Sequence, residues 1–160
     1  MGVFAGIRPE ELAPPLKGDA GVEWSDVKWA QGIIRVRAEV SKVGKPRNVK
    51  IEPTLAKWLE PYRFAKGRIA CAKWREHFRD ARTAAGIKDW PADCLRHSFA
   101  SYWLQIHRDA PALALEMGNS VEVILERYSK VLDEPEDAAK FWATLPNEGS
   151  KVVEFEQAVA

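Results

Sequence analysis

Residues 33–40, IIRVRAEV, alternate in character. Ile34, Val36, Ala38 and Val40 fall on one face, and Arg35, Arg37 and Glu39 on the other. A period of two is that of a half-buried strand. Residues 47–52, RNVKIE, alternate again with Val49 and Ile51 inward, and the intervening SKVGKP supplies Gly and Pro for a turn. The two segments predict a hairpin whose tip carries Lys42 and Lys45. A short strand is expected at 24–27. It follows a loop over 13–23, where Pro14 and Pro15 stop a short helical stretch over 3–12.

Beyond Pro53 the period becomes helical. Thr54 is placed to cap a helix to about Leu59. Residues 71–85 put Trp74, Phe78, Ala81 and Ala85 on one stripe, closed by Gly86. Residues 95–107 do the same with Leu95, Phe99, Tyr102, Trp103 and Ile106. A short apolar helix over 110–117 ends at Gly118, and Ser120 is placed to cap a helix that groups Val121, Ile124, Leu125 and Tyr128. Asp133, Pro135 and Glu136 read as the capped start of a helix through Trp142, and 151–160 as a strand or a tail. The predicted fold is α+β, mainly helical, with a small antiparallel sheet. One domain is expected over 1–145, with 146–160 as a C-terminal tail.

The composition is that of an ordinary globular chain of 160 residues, 46% hydrophobic and 29% charged, and its seven Trp suit an aromatic core. No apolar run reaches the roughly 18 residues of a membrane span, and the first residues carry no secretion signal. Cys71 and Cys94 have no partners at metal-ligand spacing, which fits a reducing, cytoplasmic compartment. The net charge of +1 conceals an asymmetry. Residues 28–97 hold 17 Lys and Arg against 7 Asp and Glu, whereas 131–160 hold 2 against 7. A basic middle suits a polyanion, although unevenly charged solvated surface is the plainer reading.

No Gly-rich phosphate loop, zinc site or Ser-His-Asp arrangement is present. Four strings matter instead: AGIRPEEL, VSKVGKPRNVKI, LRHSFASY and EMGNSVEVILERYSKV. In this order they resemble the first arginine motif, the lysine hairpin, the second arginine motif and the closing tyrosine motif of the tyrosine recombinase (phage integrase) family. They span residues 5–130. The resemblance implies a catalytic domain for site-specific DNA recombination or integration. Tyr128 would attack a phosphodiester to form a 3′-phosphotyrosine, and Arg8 and Arg96 would bind the nonbridging oxygens. Lys42 would protonate the leaving 5′-oxygen, with Lys45 as the neighbouring alternative. The implied partners are double-stranded DNA and further copies of the chain assembled on it. No metal, cofactor or ATP is implied, since the phosphotyrosine retains the bond energy.

Each residue also has a plainer reading. Arg8 can pair with Glu11 one helical turn on, Arg96 can be an ordinary ion-pair arginine, Lys42 can be solvated, and Tyr128 can be a core residue. His97 reads as structural, and His77 and His107 as surface residues. Two positions depart from the family pattern. Asp93 stands where a histidine usually lies three residues before the second arginine, as a possible helper or a cap for the helix carrying Arg96. Asn119 stands nine residues before Tyr128, where the family usually has His or Trp, and it can donate a hydrogen bond but cannot titrate. The chain begins seven residues before Arg8. By the resemblance, a DNA-clamping domain and some catalytic-domain helices are missing, which predicts exposed apolar side chains. Two further readings follow: a remnant that binds DNA or a partner recombinase without cutting, and a topoisomerase-like nicking enzyme.

Overall fold

A computed structural model describes residues 1–14, 20–63, 66–71, 73–128 and 135–146. Its helices are α1 (Gly2–Ala5), α2 (Pro9–Leu12), α3 (Pro53–Leu59), α4 (Trp74–Ala84), α5 (Cys94–His107), α6 (Ala110–Met117), α7 (Val121–Tyr128) and α8 (Pro135–Trp142). Strands β1 (Val27–Lys28), β2 (Ile33–Val36) and β3 (Arg47–Lys50) form one antiparallel sheet with β2 in the middle. The fold is mainly helical with a small three-stranded sheet.

The β2–β3 register pairs Ile34 with Val49 and Val36 with Arg47. Ile34, Val36 and Val49 are fully buried, as the alternation requires, while Arg35, Asn48 and Lys50 face outward. The hairpin departs from expectation at its end. β2 stops at Val36 instead of running to Val40, because the Arg37 carbonyl accepts turn hydrogen bonds from the N–H groups of Val40 and Ser41. The Arg37 side chain is held by Asp26 at 3.0 Å and the Gly21 carbonyl at 2.9 Å. The strand expected at 24–27 is also corrected. Residues 24–26 form a 3₁₀ turn, because the Asp26 carboxylate accepts from the Glu23 N–H at 3.0 Å, and pairing begins only at Val27.

Two apolar clusters make the core. One holds Phe4, Ile7, Val22, Ile34, Val36, Val49 and Leu55, between the sheet, α1 and α3. The other holds Phe99, Trp103, Leu113, Met117, Ile124 and Tyr128, between α5, α6 and α7. Trp142 on α8 packs against both, with ring centroids 6.2 Å from Phe4 and 6.2 Å from Phe99. Thr54 does not cap α3. Glu52 holds the N-cap position, and the Thr54 hydroxyl donates to the Trp142 carbonyl, which ties α3 to α8.

Several apolar positions of the helical stripes lie outside these clusters. Ile106 is 52% exposed, Leu125 47% and Val121 38%, so only Ile124 and Tyr128 of the α7 set reach the core. α4 buries none of its residues. Its Phe78 ring meets Trp90 edge-on at 5.1 Å, and the Arg82 guanidinium lies over both rings. The opening helical stretch is broken in two at Gly6, which takes a left-handed φ of 57°. Ser120 does accept from the Val123 N–H at 3.3 Å, at the start of α7. The expected Asp133 cap and the segment 151–160 lie outside the described residues. Among the described residues no helix is long and apolar enough to cross a membrane.

Candidate active site

The last carbonyls of a helix have no partner within it. At the end of α6 Gly118 turns left-handed at φ 64°, and the Asn119 N–H bonds back to the Ala114 carbonyl at 3.0 Å. The carbonyls of Glu116 and Met117 are left for other donors, at the negative end of the helix dipole. Arginines take them. Arg47 Nε donates to the Glu116 carbonyl at 2.9 Å, and Arg96 Nη2 to the Met117 carbonyl at 2.6 Å. Arg8 Nη1 reaches the same Met117 carbonyl at 3.5 Å. The other arm of Arg96, Nη1, donates to the carbonyl of Gly6. Gly6 must be glycine here. Besides its positive φ, a Cβ would lie 2.5 Å from the Phe99 ring.

Asn119 joins two of these arginines. Its Oδ1 accepts from Arg8 Nη2 at 3.0 Å and from Arg96 Nη2 at 2.7 Å. Only the oxygen of the amide can accept, so the contact fixes the rotamer and leaves the NH₂ as a donor for a ligand.

Glu11 is the hub of the cluster. Its carboxylate, 1% exposed, accepts from Arg47 Nη1 at 2.9 Å and Nη2 at 2.6 Å. It also accepts from the Arg8 N–H at 3.0 Å, Arg8 Nη1 at 3.4 Å and the Lys42 N–H at 3.4 Å. Burial alone would raise this carboxyl, but Arg47 and then Arg8 hold it below the ordinary value. Two guanidinium groups, those of Arg8 and Arg47, thus bond to a single carboxylate, and that of Arg96 lies close enough to be influenced by its charge. Burial, together with the charges of Arg8 and Arg47, brings the Arg96 guanidinium down to about 10, still cationic at neutral pH. Such a seam favours an anion.

The remaining candidates sit around the seam. Lys42 lies on the β2–β3 loop with its amine exposed, 3.9 Å from Glu10 Oε1, and Lys45 is exposed on the same loop. Tyr128, 4% exposed, ends α7. Its hydroxyl lies 2.7 Å from Nδ1 of His97, the residue after Arg96. Burial raises the Tyr128 phenol; the charges of Arg96 and then Arg127 oppose this, and Asp93 adds to it. Asp93 is exposed at the start of α5 with a left-handed φ of 55° and makes no side-chain cap, so its capping reading is corrected. His107 is exposed and lies against Trp103, with ring centroids 4.2 Å apart and the rings tilted by 33°. Among the described residues no group of three or more His, Cys, Asp or Glu side chains is placed to hold a metal.

Two charged residues of the cluster went unassigned in the sequence, and one visible cue was available. Arg47 shares its strand face with Val49 and Ile51, and a cation at an inward position needs a buried partner. Glu11 was visible only as a neighbour of Arg8. The contact between His97 and Tyr128, 31 residues apart, has no local sequence signal.

No family model matches the chain, and no curated protein matches it. Among solved structures it is similar to the crystal structure of XerA recombinase, with a TM-score of 0.58 over 86% of this chain at 23% identity. The chain spans about half of that protein, 51% of its length. The likeness is one of fold: a helical domain with a small sheet like that of a recombinase.

Proposed function

We propose that the chain is the catalytic domain of a DNA strand transferase of the tyrosine recombinase type, cutting and rejoining strands through Tyr128. The observation that carries this reading is the convergence of Arg8 and Arg96 on Asn119 Oδ1, at 3.0 and 2.7 Å, from positions far apart in sequence. A phosphodiester in attack gathers charge on its nonbridging oxygens, and fixed guanidinium and amide donors are what that charge needs. Arg8, Arg96 and the Asn119 amide would bind the phosphate. Lys42 would protonate the leaving 5′-oxygen, and its loop is tethered to the cluster through Glu11. Tyr128 would form the 3′-phosphotyrosine. Asp93, exposed beside Tyr128 and acidic, fits a helper role less well than the histidine usual at its place. The unit would be residues 1–145, with 146–160 as a tail. Its partners would be duplex DNA and further copies of the chain.

One observation favours the reading of a non-cutting remnant: the Tyr128 ring is buried, and its hydroxyl is already engaged. Covalent trapping separates the two. On a pool of nicked suicide duplexes, a strand transferase gives a denaturation-resistant protein–DNA adduct that Tyr128→Phe abolishes. DNA binding without an adduct would establish the remnant.

A further inference from the structure

We infer that His97 is a catalytic residue, the base that takes the proton of Tyr128 when its oxygen attacks phosphorus. The inference rests on the strand-transfer reading and adds to it a proton acceptor that neither Asp93 nor Asn119 supplies.

The geometry is direct. The Tyr128 hydroxyl has His97 Nδ1 at 2.7 Å, and the rings lie 5.7 Å apart at 45°. A phenol gains nucleophilicity when a base within hydrogen-bond reach removes its proton, and an imidazole serves near neutral pH. Asn119 cannot accept a proton, and its only acceptor atom is held by two arginines. Asp93 is a base, but among the described residues the Tyr128 hydroxyl is hydrogen-bonded to His97 and not to the Asp93 carboxylate.

Helix geometry explains why two neighbouring residues of α5 serve different partners. Arg96 points toward Gly6, Met117 and Asn119, while His97, about 100° further round, points to Tyr128 at the end of α7. The imidazole also lines an open groove of about 350 Å³ along α5 with Cys94, Ser98, Tyr102 and Asp137. An imidazolium formed there is in contact with water. The charged or titratable groups around the pair are Arg96, Arg127, Asp93, Cys94, Tyr102 and Asp137.

The step balances. The proton moves from Tyr128 Oη to Nδ1, and an Oη lone pair forms the bond to phosphorus. The bond from phosphorus to the 5′-oxygen breaks, and that oxygen takes a proton from Lys42. In rejoining, His97 returns its proton to Oη. This requires neutral His97 to carry its hydrogen on Nε2, with Nδ1 free to accept.

Two measurements test the role. Long-range proton–nitrogen NMR of the imidazoles reads the tautomer without DNA. The expected form is Nε2–H for His97, with Nδ1 perturbed by Tyr128→Phe. An Nδ1–H form, donating to the phenol oxygen, overturns the proposal. The second measurement is adduct formation on nicked duplexes of randomised centre, made with either an ordinary 5′-oxygen or a 5′-bridging sulfur. His97→Asn keeps a hydrogen-bonding atom near Nδ1 but cannot take a proton. It should slow adduct formation by about 10²–10⁴-fold with DNA binding unchanged. Its rate should rise with hydroxide, whereas the wild-type rate levels off once the imidazole is neutral. Because a thiolate leaves without a proton, sulfur should rescue Lys42→Ala and leave His97→Asn slow. A His97→Asn chain with wild-type rate and pH profile sinks the role and leaves strand transfer standing. A wild-type chain with the Nε2–H tautomer that forms no adduct sinks the strand-transfer reading, and the role of His97 with it.

Discussion

Glu11 and Arg47 lie 36 residues apart and form a two-pronged buried ion pair, with Nη1–Oε1 at 2.9 Å and Nη2–Oε2 at 2.6 Å. The pair joins α2 to the first residue of β3. Through Arg47 Nε it also reaches the C-terminus of α6, so three segments of the chain meet on one carboxylate. Paired arms fix direction as well as distance, which a single lysine in place of Arg47 cannot do.

Removing one partner of such a pair leaves the other buried and uncompensated. Glu11→Gln should lower stability by about 3–5 kcal/mol in urea unfolding. The pH dependence follows from the depressed Glu11 pKa. Its contribution is present above the ordinary value of 4.5 and is lost as pH falls through the lower folded value. Unfolding midpoints should therefore fall on acidification below about pH 4.5 in the wild type, and less steeply in Glu11→Gln. Equal slopes would mean that other carboxylates govern acid unfolding.

Gly6→Ala meets two penalties at once, a left-handed backbone and a Cβ 2.5 Å from Phe99 in the core. The expected loss is about 2–4 kcal/mol. The Gly6 carbonyl also anchors Arg96, so DNA binding should weaken even where the variant remains folded. Gly32→Ala is the control. Gly32 too has a positive φ, 64°, but nothing lies near its Cβ position, so only the backbone penalty remains.

Asn119→Asp places a carboxylate between Arg8 and Arg96. Thermal unfolding should shift upward, by about 1–2 kcal/mol in stability, because two guanidinium contacts to a neutral amide oxygen become guanidinium–carboxylate pairs. The same charge offsets the surplus of cations. Affinity for duplex DNA should drop about tenfold, with a shallower salt dependence. Tighter DNA binding would show that the arginine seam is not the anion site.

Glu116, whose backbone carbonyl Arg47 holds, carries the second shifted carboxyl near the cluster. Burial and then the charge of Glu52 raise its carboxyl to about 7. A raised folded pKa favours the folded state below the unfolded value of 4.5, and that advantage disappears as pH rises toward about 7. Allowing for partial exposure, the change is on the order of 1–3 kcal/mol. Glu116→Gln should flatten the decline and be the more stable form above about pH 7, as read by urea midpoints across that range.

The sequence by itself determined the elements whose cause is local. The alternation of Ile34, Val36 and Val49 sets a hairpin because successive strand side chains point to opposite faces. Gly118 ends α6 because only glycine takes a left-handed turn without strain. The spacing of Phe99 and Trp103 sets one face of α5. Local spacing was a weaker guide where a residue had competing partners. Thr54 had the chemistry of a cap but serves Trp142, and the periodic positions of Ile106 and Leu125 face solvent.

Beyond the Arg8–Glu11 pair, which its one-turn spacing already allows, tertiary structure alone decided which charges meet. Arg8, Arg47, Arg96 and Glu11 lie together because a helix end between the two clusters has carbonyls to satisfy and a carboxylate nearby. No periodicity records that requirement. The contact of His97 with Tyr128 has the same origin. It depends on the packing of α5 against α7, and chain contacts over such separations are set by the burial of Phe99, Ile124 and their neighbours, not by the two polar residues themselves.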